Sequence, residues 1–534
     1  MFHVSSFKFH VSSYIVYSSK VTRKTFLIIL PVILLPVLIY ARTASYGFLS
    51  WDDNLLIGEN YSVLNFSPSV FWTYDPELYI PMTLLSFQIN YAFSGANPFW
   101  FHITNVVLHA GNALLVYILI TLILKNKFTA FFTALIFAAH PINTEAVAWV
   151  SARKELLSAF FFLGSFICYV KAGNGIRKIY SLSVIFFILA MMSKVTAIVL
   201  PAVLAVHDYT NGNFNANSKA KIISFMRRIA LFLIPAVIFA VIAFVGKSQA
   251  VAELTIIQVL LLAARSAAFY LQKFFVPLNF SAIYPAPDPI SIGNPAIVFS
   301  IITITTLSLL AFVFRKNRFA ILGACWFVIT LSPSFLAYMR SNGISMAADR
   351  YAYMPSIGLT LFFVVIASAI LKNRKYSSAF IGAIVILLSF AAFSRSKVWA
   401  NSEALFTDVL QKNPSSYVAY NNIGNEYLRK GDLDDARILF EKAISLKPDF
   451  ADALNSLGAV YGKAGKYDMA EEYILKAIES NPNLADAHFN LGGVYFMRNE
   501  FEKAIGKYKA ALKINPHHEH ALRQLKIANE KLVQ

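Results

Sequence analysis

Apolar runs long enough to cross a bilayer, separated by short clusters of lysine and arginine, fill most of the first 395 residues. The first is "FLIILPVILLPVLIYA". Such a succession has one stable solution, a bundle of membrane-crossing helices, because backbone polar groups in lipid must be satisfied within each segment. Composition agrees: 57% of residues are hydrophobic, 14% are charged, and mean hydropathy is +0.56, values outside the range of soluble enzymes. The net charge of +18 is not a nucleic-acid footprint. It sits between the apolar runs, at Lys125 and Lys127; Lys171, Arg177 and Lys178; Lys219, Lys221, Arg227 and Arg228; Arg315, Lys316 and Arg318; and Lys372, Arg374 and Lys375. Cytoplasmic loops carry this pattern. Cys168 and Cys325 lie inside apolar stretches and form neither a disulfide framework nor a metal cage. No P-loop, dinucleotide fingerprint, zinc pattern or nucleic-acid motif is present.

With the basic clusters cytoplasmic, parity fixes a topology. Residues 1–24 are expected to form a cytoplasmic N-terminal segment with no cleavable signal. Eleven spans are then expected near 25–42, 103–124, 128–140, 146–170, 179–192, 195–207, 229–246, 295–314, 319–338, 355–371 and 377–394. The pair at 179–207 has arms of about 14 residues, ~21 Å each, so its tip at Lys194 is expected below the outer surface, in a cavity. The segment 251–277 holds Arg265, Gln272 and Lys273 and reads as an interfacial or re-entrant helix.

Beyond residue 395 the composition changes and a 34-residue period appears, over 417–450, 451–484 and 485–518. Gly424, Gly458 and Gly492 fall in register, as do Ala436, Ala470 and Ala504, and Pro448, Pro482 and Pro516. This is the tetratricopeptide pattern. Residues 396–416 read as a linker with half a repeat, and 519–534 as a polar capping helix. The odd span count puts the repeats outside the cytoplasm. There the array is expected either to bind a peptide, acceptor or protein partner in its groove, or to serve as a spacer or oligomerisation surface.

The loop from 46 to 102 contains no Lys or Arg but carries Asp52, Asp53, Glu59, Asp75 and Glu77 among aromatics, and is expected outside, as short amphipathic pieces. The same side is expected to hold His140, Glu145, Arg153, Lys154 and Lys194, together with Arg340, Asp349, Arg350 and Tyr351. Intramembrane charges are functional candidates. Ion pairs, Glu145 with Arg153 or Asp349 with Lys194, are the structural alternative, and helix capping is the alternative for the two aspartates. A stripe of His102, Asn105, His109 and Asn112 reads as hydrogen-bonding glue between helices, since histidines two turns apart cannot share a metal ion.

Carboxylates, cations and a bilayer together suit transfer of a sugar from a polyprenyl phosphate to a hydroxyl. The hydroxyl needs a carboxylate base, and the phosphate leaving group needs cations rather than a proton donor. Asp52 or Asp53 supplies the base on this reading, and Arg350, Arg153 and Lys194 clamp the phosphate, supported by His140, Glu145, Lys154, His102 and Tyr351. No metal ligands are assigned.

The ordered segments "WDDNLLIGEN", "FHITNVVLHAGNALL", "AAHPINTEAVAWVSARKELL", "MMSKVTAIVLPAVLAVHDY", "AADRYAYMPSIGL" and "VWANSEALFTDVLQKNP", followed by the repeats, resemble the transmembrane and tetratricopeptide-repeat O-mannosyltransferase-like proteins of the GT-C glycosyltransferase class. The resemblance implies an all-α membrane enzyme that takes a sugar from a polyprenyl-phosphate donor with inversion and delivers it on the extracytoplasmic side. It also implies that Asp52 is the base and Arg350 the arginine of the late outer loop. Three full repeats, fewer than in animal relatives, point to a bacterial or archaeal plasma membrane. Lys194 is followed by Val195, where relatives tend to carry an acid. A polysaccharide ligase or polymerase using a lipid-diphosphate glycan, and a non-catalytic repeat scaffold, are the competing readings.

Overall fold

The computed structural model describes residues 23–74, 78–173, 176–212, 219–246, 254–336 and 345–533. Asp75, Glu77, Arg340 and the first 22 residues lie outside the described residues. Within them the chain is all-α, with one isolated β-bridge between Tyr284 and Ala347.

A helix occupies each of the eleven segments expected from hydropathy, from Arg23–Tyr40 to Arg374–Ser396. Among the described residues, eight helices are long and apolar enough to cross a membrane alone. The others are shorter: Lys127–Ala139, Arg177–Ser193 and Leu200–Thr210. At 1.5 Å per residue these reach about 20, 26 and 17 Å. The segment after Thr255 is a 20-residue helix, Ile256–Phe275, started by a capping box of Thr255 and Gln258 and packed on Pro295–Val313.

The expected helix over 146–170 is interrupted. Thr144–Ala148 forms a short helix, Trp149 is extended, Val150–Ala152 makes a 3-10 turn, and only then does Arg153–Ala172 run. Glu145 and Arg153 therefore do not share a helix face, and the ion pair considered between them is replaced by Glu145 with Arg350. The break places Trp149 and Ser151 where they can meet the first loop.

That loop folds as short pieces: a π-helical turn Asn54–Gly58, one turn Tyr61–Leu64, a 3-10 turn Pro68–Phe71 and a helix Pro81–Ser94. The stripe on helix Pro98–Leu124 cross-links the bundle. His109 lies 2.7 Å from the Tyr353 hydroxyl, Asn112 donates to the Leu156 carbonyl at 2.9 Å, and Asn105 donates to the Trp149 carbonyl at 3.0 Å.

The repeats form helix pairs, Tyr417–Lys430 with Leu433–Leu446, Ala451–Lys463 with Tyr467–Ser480, and Ala485–Met497 with Phe501–Ile514, closed by Glu519–Val533. A Cβ on the in-register glycines Gly424, Gly458 and Gly492 would stand 2.5–2.7 Å from Phe440, Ile474 and Tyr508. Only glycine admits that contact, so each pair closes on a large side chain from its second helix.

Candidate active site

The two adjacent aspartates do different things. Asp53 is buried, accepting from the Leu49 backbone N–H at 2.8 Å, from the Ser151 N–H at 3.0 Å, and from the Ser151 hydroxyl. Burial pushes its carboxyl up to about 6 despite those three donors. It ties the first loop to the break after Trp149. Asp52, one position earlier and half-buried, faces a cleft of about 260 Å³.

The cleft gathers side chains from distant parts of the chain: Asp52, Lys154 and Glu155, Lys194, and Arg350 with Tyr351. Thr330, Pro333 and Ser334 form another wall. Arg350 is ion-paired with buried Glu145, whose carboxylate also accepts from the Arg350 backbone N–H at 3.2 Å. Its guanidinium lies 5.0 Å above the Trp149 ring and 4.9 Å from that of Tyr351, and its buried Nε has no hydrogen-bond partner among the described residues. Lys194 is paired with Glu155 and sits 4.9 Å from the Tyr351 ring. Lys154 is buried and makes no ion pair with another described residue, although Asp52 is within electrostatic reach. A buried ammonium without a carboxylate partner is costly, and an anion entering the cleft would relieve that cost.

Three expected residues stand elsewhere. Arg153 is fully buried and is not among the cleft's lining side chains. It donates to Asn105 at 2.9 Å, Asn90 at 2.5 Å and the Phe101 carbonyl at 2.8 Å, bracing Pro81–Ser94 against Pro98–Leu124. His140 lies 3.0 Å from the Phe274 carbonyl and stacks on its ring at 4.7 Å, and His102 reaches the Gly47 carbonyl at 3.3 Å. Asp349 accepts from the Tyr284 hydroxyl at 2.7 Å, so the pairing considered between Asp349 and Lys194 is replaced by Lys194 with Glu155. Where Val195 leaves the lysine without a neighbouring acid, Glu155 supplies one from across the fold.

Sequence reasoning missed Glu155, and also a stack of indoles. Trp51 lies on Trp149 with centroids 5.0 Å apart and planes at 18°, and Trp149 on Trp399 at 5.9 Å and 22°. The signal was present, because three of the quoted segments, around Trp51, Trp149 and Trp399, each hold one of these tryptophans. Among the described residues no group of three His, Cys, Asp or Glu side chains is placed to hold a metal ion.

Fold and repeats together define a multi-pass α-helical membrane protein ending in a tetratricopeptide array. Family models for TPR repeat and tetratricopeptide repeat match residues 424–465 and 455–519. The relatives it matches include human protein O-mannosyl-transferases. TMTC1 is 26% identical over 412 residues, covering 65% of this chain and 45% of that protein. TMTC4 is 27% identical over 420 residues, covering 66% and 56%. The homologues of this chain are thus the transmembrane and tetratricopeptide-repeat O-mannosyltransferases, and it spans about half the length of the curated relatives it matches. Among solved structures, the first TPR of Spaghetti (RPAP3) bound to an HSP90 peptide is 21% identical over 22% of this chain and 94% of that one, with a TM-score of 0.21, which carries no argument about function.

Proposed function

We propose that this chain transfers a sugar, mannose-like, from a polyprenyl-phosphate donor to a hydroxyl acceptor, a Ser or Thr of a polypeptide, on the extracytoplasmic side of a prokaryotic plasma membrane. What carries the reading is the meeting of one half-buried carboxylate, Asp52, with Arg350, Lys194 and unpaired Lys154 around a single cleft. Asp52 accepts the acceptor's proton as its oxygen attacks the anomeric carbon. The bond from that carbon to the phosphate oxygen breaks with inversion, and the polyprenyl phosphate leaves with both electrons. Arg350, Lys194 and Lys154 hold the growing negative charge, so the leaving group needs no proton. Arg350 is held by Glu145 on one side, with its guanidinium beside the Trp149 and Tyr351 rings. Arg153, His140 and His102 contribute by bracing the helices that carry these groups, and Asp53 by fixing the loop.

The test is transfer by purified full-length protein in detergent, supplied with polyprenyl-phosphate mannose and Ser/Thr peptides. Wild type transfers and Asp52→Asn does not, while both remain folded. Lys154→Met raises the donor KM roughly 10- to 100-fold, the worth of one charge-assisted contact at about 1.5–3 kcal/mol. The same variant melts at or above the wild-type temperature, because it removes a buried unpaired charge. Full transfer by Asp52→Asn would remove the base assignment.

A further inference from the structure

The carboxylate Asp52 and the arginine that shares its cleft are mounted on one stretch of chain, 145–151, where the expected helix is broken. Asp52 is held through both of its neighbours. The Trp51 ring lies on Trp149 with centroids 5.0 Å apart, and the Asp53 carboxylate accepts from the Ser151 N–H at 3.0 Å. Arg350 is held from the same stretch, by the Glu145 carboxylate and by the Trp149 ring, whose centre lies 5.0 Å from its guanidinium. The Glu145 carbonyl in turn accepts from the Trp149 N–H at 3.1 Å, so the carboxylate and the ring that hold Arg350 belong to a single turn. Asp52 and Arg350 thus take their positions from the same indole.

That indole is fixed in turn by the repeat side of the molecule. Trp399, in the 3-10 turn Lys397–Trp399 after helix Arg374–Ser396, stacks on Trp149 at 5.9 Å and 22°. Both rings are buried, neither lines the cleft, and neither indole N–H has a hydrogen-bond partner among the described residues. An unpaired buried donor is a cost, so these positions contribute through the flat face and area of the ring. Leu405, Phe406 and Val409 of the half-repeat and Ala419 and Ile423 of the first repeat complete the cluster, and Phe406 also meets Trp51 at 5.7 Å. Beside it the Ser50 N–H donates to the Ser402 hydroxyl at 2.9 Å, and the Ser50 hydroxyl bonds to Glu426 of the first repeat. The array meets the first loop again at its far end, where His517 stacks on Tyr61 with centroids 5.5 Å apart and planes at 12°.

We propose that Trp149 and Trp399 are positioning residues for the transfer: the stack of Trp51, Trp149 and Trp399 sets Asp52 against Arg350, and the seated repeat array completes the stack. The inference rests on the transfer reading above and names what keeps the two sides of its site in register. Asp52 acts on the attacking oxygen and Arg350 on the departing phosphate, at the two ends of one line of displacement, so a small change in their separation lowers the rate steeply. Lys194 takes its place from Glu155 and Tyr351 rather than from the stack. A loosened stack therefore costs turnover more than donor affinity.

The test compares Trp399→Phe, which keeps a flat ring, with Trp399→Leu, which keeps apolar bulk without one. Full-length protein in detergent receives polyprenyl-phosphate mannose and Ser/Thr peptides, and kcat is counted per site that binds polyprenyl phosphate, so unfolded protein does not enter. Trp399→Phe stays within about threefold of wild type, while Trp399→Leu loses about tenfold or more in kcat with little change in donor KM. Trp51→Phe and Trp51→Leu, at the half-buried end of the stack, give the same contrast should the first pair not fold. Equal effects of Phe and Leu, or a loss that falls on KM, overturn the proposal. Hydrogen–deuterium exchange without donor reads the coupling apart from the reaction: Trp399→Leu speeds exchange at both 47–53 and 345–353, and Trp399→Phe at neither. Faster exchange at 47–53 alone also overturns it. Faster exchange at both with no transfer by wild type keeps the shared mount and sinks the transfer reading, and transfer at the wild-type rate by Trp399→Leu does the reverse.

Discussion

Adjacent carboxylates with opposite surroundings show how far a single position can shift a role. Asp52 faces the cleft, whereas Asp53 is enclosed and receives three hydrogen bonds. Replacing Asp53 with Asn turns one acceptor oxygen into a donor against a buried N–H, so Asp53→Asn should lower stability by about 1–3 kcal/mol. The pH sign follows from the raised carboxyl, about 6 in the fold against 3.8 free. Across that window the folded state keeps a proton the unfolded state has lost, so this group's contribution to stability falls as pH rises. Melting temperatures from pH 4 to 7 should show the gap between wild type and Asp53→Asn narrowing toward neutral pH. A gap that widens would mean the three donors outweigh burial. Nothing in the letters "DD" separates the two roles, because the difference lies in Ser151, 98 residues away.

Among elements, the crossing of Arg318–Leu331 and Tyr353–Ile370 sets where Arg350 and Tyr351 stand. A Cβ on Gly323 would lie 2.7 Å from the Gly358 carbonyl, and one on Gly358 2.5 Å from the Gly323 carbonyl. The backbones therefore touch directly, as small residues permit in membranes. Gly358→Leu should push the helices apart at a cost of about 1–3 kcal/mol or more and misplace Arg350 against Asp52. Its melting temperature and transfer rate should fall together. If both are unchanged, the crossing does not control the cleft. Helices and repeats were legible from hydropathy and period because both are local properties. The break at Trp149 was not, since "EAVAWVSARKELL" holds no proline or glycine to mark it, and Trp149 packs there between Trp51 and Trp399.

In the whole molecule, the array is part of the scaffold that presents the first loop. Its contacts with Ser50 and Tyr61 seat it directly against that loop. A chain ended at Ser416 keeps the half-repeat but loses Glu426, Ala419 and Ile423 from the contact. Its kcat for transfer should drop while the donor KM stays near wild type, because the cations proposed to hold the donor, Arg350, Lys194 and Lys154, all belong to the membrane module. An unchanged kcat would make the array an appendage.

The amino-acid sequence by itself determined the class of fold, the helix positions and the three repeats, and it singled out Asp52, Lys154, Lys194 and Arg350 but not Glu155 among the charged residues that line the cleft. It did so because hydropathy, period and charge placement act within a few turns of chain. Only the tertiary structure decided that Lys194 pairs with Glu155, that Arg350 pairs with Glu145, that Arg153 stands in the core, and that the repeats close on the first loop. Those outcomes depend on which helices pack side by side, and buried charges choose partners by proximity and desolvation across tens to hundreds of residues, which no local spacing records.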